Sequence, residues 1–236
     1  MKVGLTLPQF RDDADLAMAT ARRAEDAGLD GVFVFDHLWP IGQPDRPALH
    51  SHALLGALAA ETTRVTLGPL VARVGLFPDA VLVNAMATLH RIIGDRLVVG
   101  LGVGDGLSKA ENEAFNVPFA PAAERLASLG WCARELRRRG ITTWVGGLSS
   151  ETRAVAVADA DALNVWAAPV ERVATETSIE VTWGGQVRPN ADDVPAMLAA
   201  LAGAGATWAV LAPIEADWGE AVDRIAAARA TLPSTV

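Results

Sequence analysis

The feature that most restricts the fold is an alternation of short apolar runs with helical segments, sustained along the whole chain. VGLTLP is a β-type run, and Asp13 to Ala27 has helical character with Gly28 as its stop. GVFVF follows, then a helix over about Ala53 to Thr62, the run VTLGPLV, a helix over about Asp79 to Ile93 closed by Gly94, and LVVGLGV. After a loop come a helix from about Pro121 to Arg139, TTWVG, a helix begun by the capping residues Ser149 and Ser150, and ALNVW. The last quarter adds a short helix near Val170 to Thr177, EVTW, a helix from about Asp192, WAVLA, and a final helix over about Trp218 to Leu232. About eight strand-then-helix units in succession predict the α/β class, with a parallel sheet closed into a (β/α)8 barrel.

At 236 residues with short connections throughout, residues 1–236 read as one domain. The helix-to-strand joint recurs at AGLDG and AGATW, which is shared turn chemistry without a fixed-period repeat. Val194 to Ile214 carries no charge, yet Pro195, the Gly203-Ala204-Gly205 break and Pro213 divide it into helix, turn and strand, so no membrane span is expected. A net charge of -8, with no basic cluster beyond Arg137-Arg138-Arg139, excludes nucleic acid as an expected partner. The lone Cys132 has no disulfide partner and points to a cytoplasmic home; MKVGLTLPQFRDD shows no leader pattern and reads as mature protein.

Three places invite chemistry. In VVGLGVGDG, glycines fall at every second position from Gly100 to Gly106. The dinucleotide fingerprint fails there, because Asp105 or Leu107 stands where its third glycine belongs. The stretch instead reads as a barrel strand whose glycines let a flat ligand approach the backbone, or ease inner packing, with Asp105 at the mouth. Asp36-His37 ends the run GVFVF, where a histidine acts near neutral pH or is a satisfied structural residue. Gly146-Gly147 with Ser149 and Ser150 leads a strand into a helix N-terminus, which is an anion site or an ordinary turn. His50 and His52 are spaced wrongly for one helical face, so no metal is expected, and His90, near a helix C-terminus, serves the dipole or faces solvent. Trp39, Trp166 and Trp183 fall near strand ends, as packing or as walls of an aromatic-ligand pocket. A Schiff-base enzyme needs a strand-end lysine, and only Lys2 and Lys109 exist.

FVFDHLWP, FPDAVLVNAMATLHRIIGDRLVVGLGVGD, ENEAFNVPF, WVGG and ALNVW, in this order, resemble the luciferase-like flavin-dependent oxidoreductases, many of which use coenzyme F420. The resemblance spans nearly the whole chain and implies a compact barrel without the family's long insertion, holding a flavin or deazaflavin ring in its mouth. It implies that Asp36 and His37 match the family's Asp-His, with His37 near the reacting ring carbon and Asp36 orienting it. Asp105 matches an acidic residue after the glycine-rich strand and Ser108 a polar residue beyond it, where several members carry Glu and Asn; His90 replaces a common Asp. A non-prolyl cis peptide maps to Leu70-Val71, and Gly104, Gly146 and Gly147 fall among the cofactor contacts. The activity implied is hydride transfer between F420 and a small-molecule substrate, with His37, Asp36 and Asp105 catalytic. The alternatives are an FMN-dependent monooxygenase served by a separate flavin reductase, and a non-catalytic flavin-binding barrel. A homodimer is expected from the resemblance and from the apolar, Ala-rich helices.

Overall fold

The computed structural model describes residues 1–214 and 217–233. Its elements alternate in the expected order: β1 (Lys2–Thr6), α1 (Asp15–Asp26), β2 (Gly31–Val34), α2 (Ser51–Glu61), β3 (Thr66–Pro69), β4 (Ala72–Arg73), α3 (Asp79–Ile93) and β5 (Val98–Gly102). Then come α4 (Gly106–Ala114), α5 (Ala122–Arg137), β6 (Thr142–Gly146), α6 (Ser150–Asp159), β7 (Ala162–Trp166), α7 (Val170–Ala174), β8 (Glu180–Val187), α8 (Val194–Gly203), β9 (Trp208–Pro213) and α9 (Trp218–Ala230). All strand pairs are parallel, in the order β3-β2-β1-β9-β8-β7-β6-β5-β4. A parallel bridge between Leu67 and Leu97 joins the two edges, so the sheet closes. β3 and β4 are the two halves of one barrel strand, parted at the Leu70–Val71 peptide, which is cis.

Alternation along each strand sorts the core into two layers. One side of the strands packs under the helices through Val3, Leu5, Val32, Val34, Val99, Leu101, Leu163 and Leu211. The other side fills the lumen with Phe33, Leu70, Val98, Trp144, Ala162, Trp208 and Val210. Phe33 stacks on Trp144 at 5.6 Å and meets Trp208 edge-on at 5.7 Å. Glycines make the space these rings need: a Cβ on Gly31 would lie 3.0 Å from both Phe33 and Trp208. The lumen is therefore plugged by side chains.

Two segments depart from the sequence reading. The loop expected after β5 contains α4, and the strand expected as EVTW runs on through Gly184 and Gly185 to Val187. Among the described residues no helix is long and apolar enough to cross a membrane.

Candidate active site at the barrel mouth

Above the lumen plug, the C-terminal strand ends present a half-buried apolar floor. Val71 and Trp166 pack on the lumen cluster, and Phe35 meets Trp166 edge-on at 5.6 Å. The glycines of β5 and β6 seat this floor. A Cβ on Gly102 would come 2.4 Å from Val71 Cγ2, and one on Gly146 would come 2.8 Å from Val71 Cγ1. A Cβ on Gly184 would strike the Trp166 ring at 2.7 Å. The glycines of VVGLGVGDG thus accommodate the Leu70–Val71 segment more than a direct ligand approach, since Gly100 faces Pro69 O at 2.8 Å. Gly104 alone of that strand end adopts a positive φ, 68°, and turns the chain towards α4.

Beyond β2, neighbouring residues diverge. Asp36 is buried; it accepts a hydrogen bond from Ser51 Oγ at 2.6 Å and from the Arg73 backbone N–H at 3.0 Å. His37 reaches the mouth, and its Nδ1 lies 3.0 Å from Glu111 Oε2. The orienting role expected of Asp36 is corrected on this point: its oxygens hold α2 and β4, and the carboxylate that contacts His37 comes from α4. Glu111 also accepts from the Leu38 N–H and pairs with Arg73 Nη2 at 3.0 Å. Buried Arg73 further donates to Asp36 O, Asn112 Oδ1 and Ser108 O at 3.2, 3.2 and 3.4 Å. Burial draws the Arg73 guanidinium below its ordinary pKa, against the pull of Glu111, Asp36 and Asp105. For Glu111 burial works upward, but the bonds from His37 and Leu38 and the Arg73 charge hold its carboxyl below the usual carboxylate range.

Asp105 is exposed and caps α4, accepting from the N–H groups of Leu107 at 2.9 Å and Ser108 at 3.1 Å. Buried Ser108 completes a capping box, its Oγ 3.4 Å from the Asp105 N–H. Gly146 and Gly147 lead into α6, where Ser149 caps through Thr152 N–H at 3.2 Å. An anion already sits at this helix N-terminus: the exposed Glu151 carboxylate, held below its ordinary range by its own backbone N–H and by the Ser149 and Ser150 hydroxyls.

Of the three tryptophans, Trp166 alone joins the floor. Trp183 packs in the outer layer and donates to Ala168 O at 2.9 Å, because β8 turns that residue towards the helices. Trp39 packs on Phe115 at 5.6 Å in a groove lined by Leu38, Pro44 and Pro47. His50 and His52 cluster with Phe77, and His90 lies 3.6 Å from Asp95. No group of three or more metal-ligating side chains occurs among the described residues.

A family model described as luciferase-like monooxygenase matches residues 1–129, more than half of the chain. The chain belongs to the luciferase-like monooxygenase family. A curated relative, the F420-dependent glucose-6-phosphate dehydrogenase of Kineococcus radiotolerans, is 34% identical over 119 residues, which cover 50% of this chain and 34% of the relative. The match thus spans about a third of that relative's length. An F420-dependent secondary alcohol dehydrogenase, solved with an F420-acetone adduct, superposes with a TM-score of 0.81 at 14% identity, over 96% of this chain and 97% of that one. A monooxygenase, RslO1 from Streptomyces bottropensis, gives a TM-score of 0.70 at 16% identity, over 98% of each chain. The luciferase-like barrel expected from the sequence is the fold observed.

Glu111 is the residue that sequence reasoning missed. It lies within ENEAFNVPF, which carried the family resemblance, but the inward face of α4 is polar (Ser108, Glu111, Asn112) and shows no apolar period.

Proposed function

We propose that this chain is an oxidoreductase that moves a hydride between coenzyme F420 and a small organic substrate at the barrel mouth. The observation that carries this reading is the juxtaposition of an apolar floor, Phe35, Val71 and Trp166, with a solvent-reachable imidazole tied to a buried carboxylate. The floor fits a flat tricyclic ring: it is apolar, half-buried and seated on glycines whose Cβ atoms would displace Val71 or Trp166. Bound there, the deazaflavin supplies or accepts the hydride.

The protein's own groups do the rest. His37 takes the proton of a substrate hydroxyl as it becomes a carbonyl, or returns it in the reverse direction. The floor excludes water from the reacting face. Gly146, Gly147 and the α6 N-terminus receive the cofactor phosphate, in place of the Glu151 carboxylate. Asp105 acts by capping α4, which carries Glu111, and Asp36 acts by joining β2, α2 and β4 below His37. The names of the relatives support F420 as cofactor; FMN with a separate flavin reductase is the competing reading.

The protein is proposed to work as a cytoplasmic homodimer. α2 is apolar on nearly every side, exposing Ala53, Gly56, Ala57 and Ala60, and neighbouring α3 exposes Val81 and Ile92. A helix apolar all round is buried in its working state.

Titration of the cofactor-free protein with F420 and with FMN, each followed by tryptophan quenching, tests the reading. Saturable binding of F420, with reduction by one of a panel of secondary alcohols, is the expected result. Preference for FMN moves the protein to the monooxygenase reading, binding without reduction by any substrate leaves the non-catalytic flavin-binding barrel, and binding of neither refutes the cofactor site.

A further inference from the structure

We infer that Glu111 is the positioning residue of the site: it fixes the His37 proton on Nδ1, so that Nε2 is the atom that exchanges protons at the mouth. The inference rests on the acid/base role proposed for His37, and its geometric basis is independent of which cofactor binds. The Glu111 side chain is 2% exposed and that of His37 18% exposed, so one partner is locked in protein and the other reaches solvent. Glu111 Oε1 accepts from the Leu38 N–H, and Oε2 lies 3.0 Å from both His37 Nδ1 and Arg73 Nη2. Three groups from two other segments therefore converge on one carboxylate, and its position is set by all of them.

An ionised carboxylate can only accept a hydrogen bond, so Nδ1 must donate. Neutral His37 then carries its proton on Nδ1 and a lone pair on Nε2, which has no hydrogen-bond partner among the described residues. The lowered pKa of Glu111 keeps the acceptor charged. Asp36, the nearest carboxylate in sequence, does not compete, since Ser51 Oγ and the Arg73 N–H occupy its oxygens. The charges agree with the role. Arg73 offsets one of the two buried carboxylates, Asp36 and Glu111, and an imidazolium formed by proton uptake at Nε2 offsets the other. The Nδ1–H form is the minor tautomer of free histidine in water, so its presence is diagnostic of an acceptor at Nδ1.

Imidazole 15N NMR of the intact, cofactor-free protein, labelled at histidine and recorded above the histidine titration range, reads the tautomer directly. A His37→Gln sample assigns the His37 signals among the four histidines. The expected wild-type spectrum has a protonated Nδ1 and an unprotonated Nε2 for His37. Glu111→Ala, which removes the acceptor altogether, is expected to lose that bias. A wild-type His37 protonated at Nε2 overturns the inference whether or not the variant folds, and so does an unchanged Nδ1–H signal in a folded Glu111→Ala protein. Because no cofactor or substrate is present, a negative result here is distinct from failure of the F420 reading.

Discussion

Glu25 offers the sharpest test of the physical reasoning. It stands in the last turn of α1, where an acidic side chain opposes the helix dipole, so another interaction must hold it there. That interaction is a nest of backbone donors at the entry to β3. The N–H groups of Thr63, Arg64 and Val65 reach its carboxylate at 3.0, 2.8 and 3.0 Å, and Thr63 Oγ1 adds a bond at 3.2 Å. Burial works against the charge, but the donors of Val65, Arg64 and Thr63 prevail and hold the carboxyl at about 2, against an ordinary 4.5. A difference of about 2.5 pH units at ~1.36 kcal/mol each gives about 3 kcal/mol of folding stability at neutral pH. The group's pKa is depressed on folding, so this contribution is complete above about 4.5 and is lost as pH falls from there through about 2. Glu25→Gln removes the charge and is expected to lower stability by roughly 2–3 kcal/mol at pH 7 and by about half as much near pH 3. Urea unfolding of both proteins at the two pH values measures it. A variant within about 0.5 kcal/mol of wild type at pH 7, or a penalty of equal size at both pH values, refutes the argument.

Gly102→Ala places a methyl 2.4 Å from Val71 Cγ2 and should destabilise by about 1–3 kcal/mol while weakening F420 binding; Gly106→Ala, which meets nothing within 4 Å, should change neither, as thermal melts and the quenching titration will show. Glu151→Gln removes the anion that occupies the α6 N-terminus and should tighten cofactor binding by up to about fivefold; weaker binding would mean that the phosphate lies elsewhere. For the proposed homodimer, Ala57→Arg on the exposed face of α2 should shift dimer to monomer in sedimentation velocity with the fold retained; a monomeric wild type refutes the proposal, and an unaltered dimer places the interface on another face.

What could be read from the chain and what could not divide along a physical line. Helix α3 was expected at Asp79 to Ile93 and occurs there, because a 3.6-residue apolar period and a closing glycine are local signals. β6 and β7 likewise follow from short β-rich runs that are buried on both faces. The segment of α4 reads as loop from the sequence, since its inward residues are Ser108, Glu111 and Asn112 and polar burial leaves no hydrophobic trace. The resemblance implies that Asp36 orients His37, yet side chains of neighbouring residues in an extended strand end point to opposite sides. One went to Ser51 and Arg73, the other to Glu111.

The barrel, its order of elements and the strand ends that form its mouth are legible in the chain, since these depend on periodicity and turn residues within each segment. Only the tertiary structure decided which carboxylate meets His37, because Glu111 lies 74 positions away and reaches it only when closure of the barrel carries α4 over the end of β2.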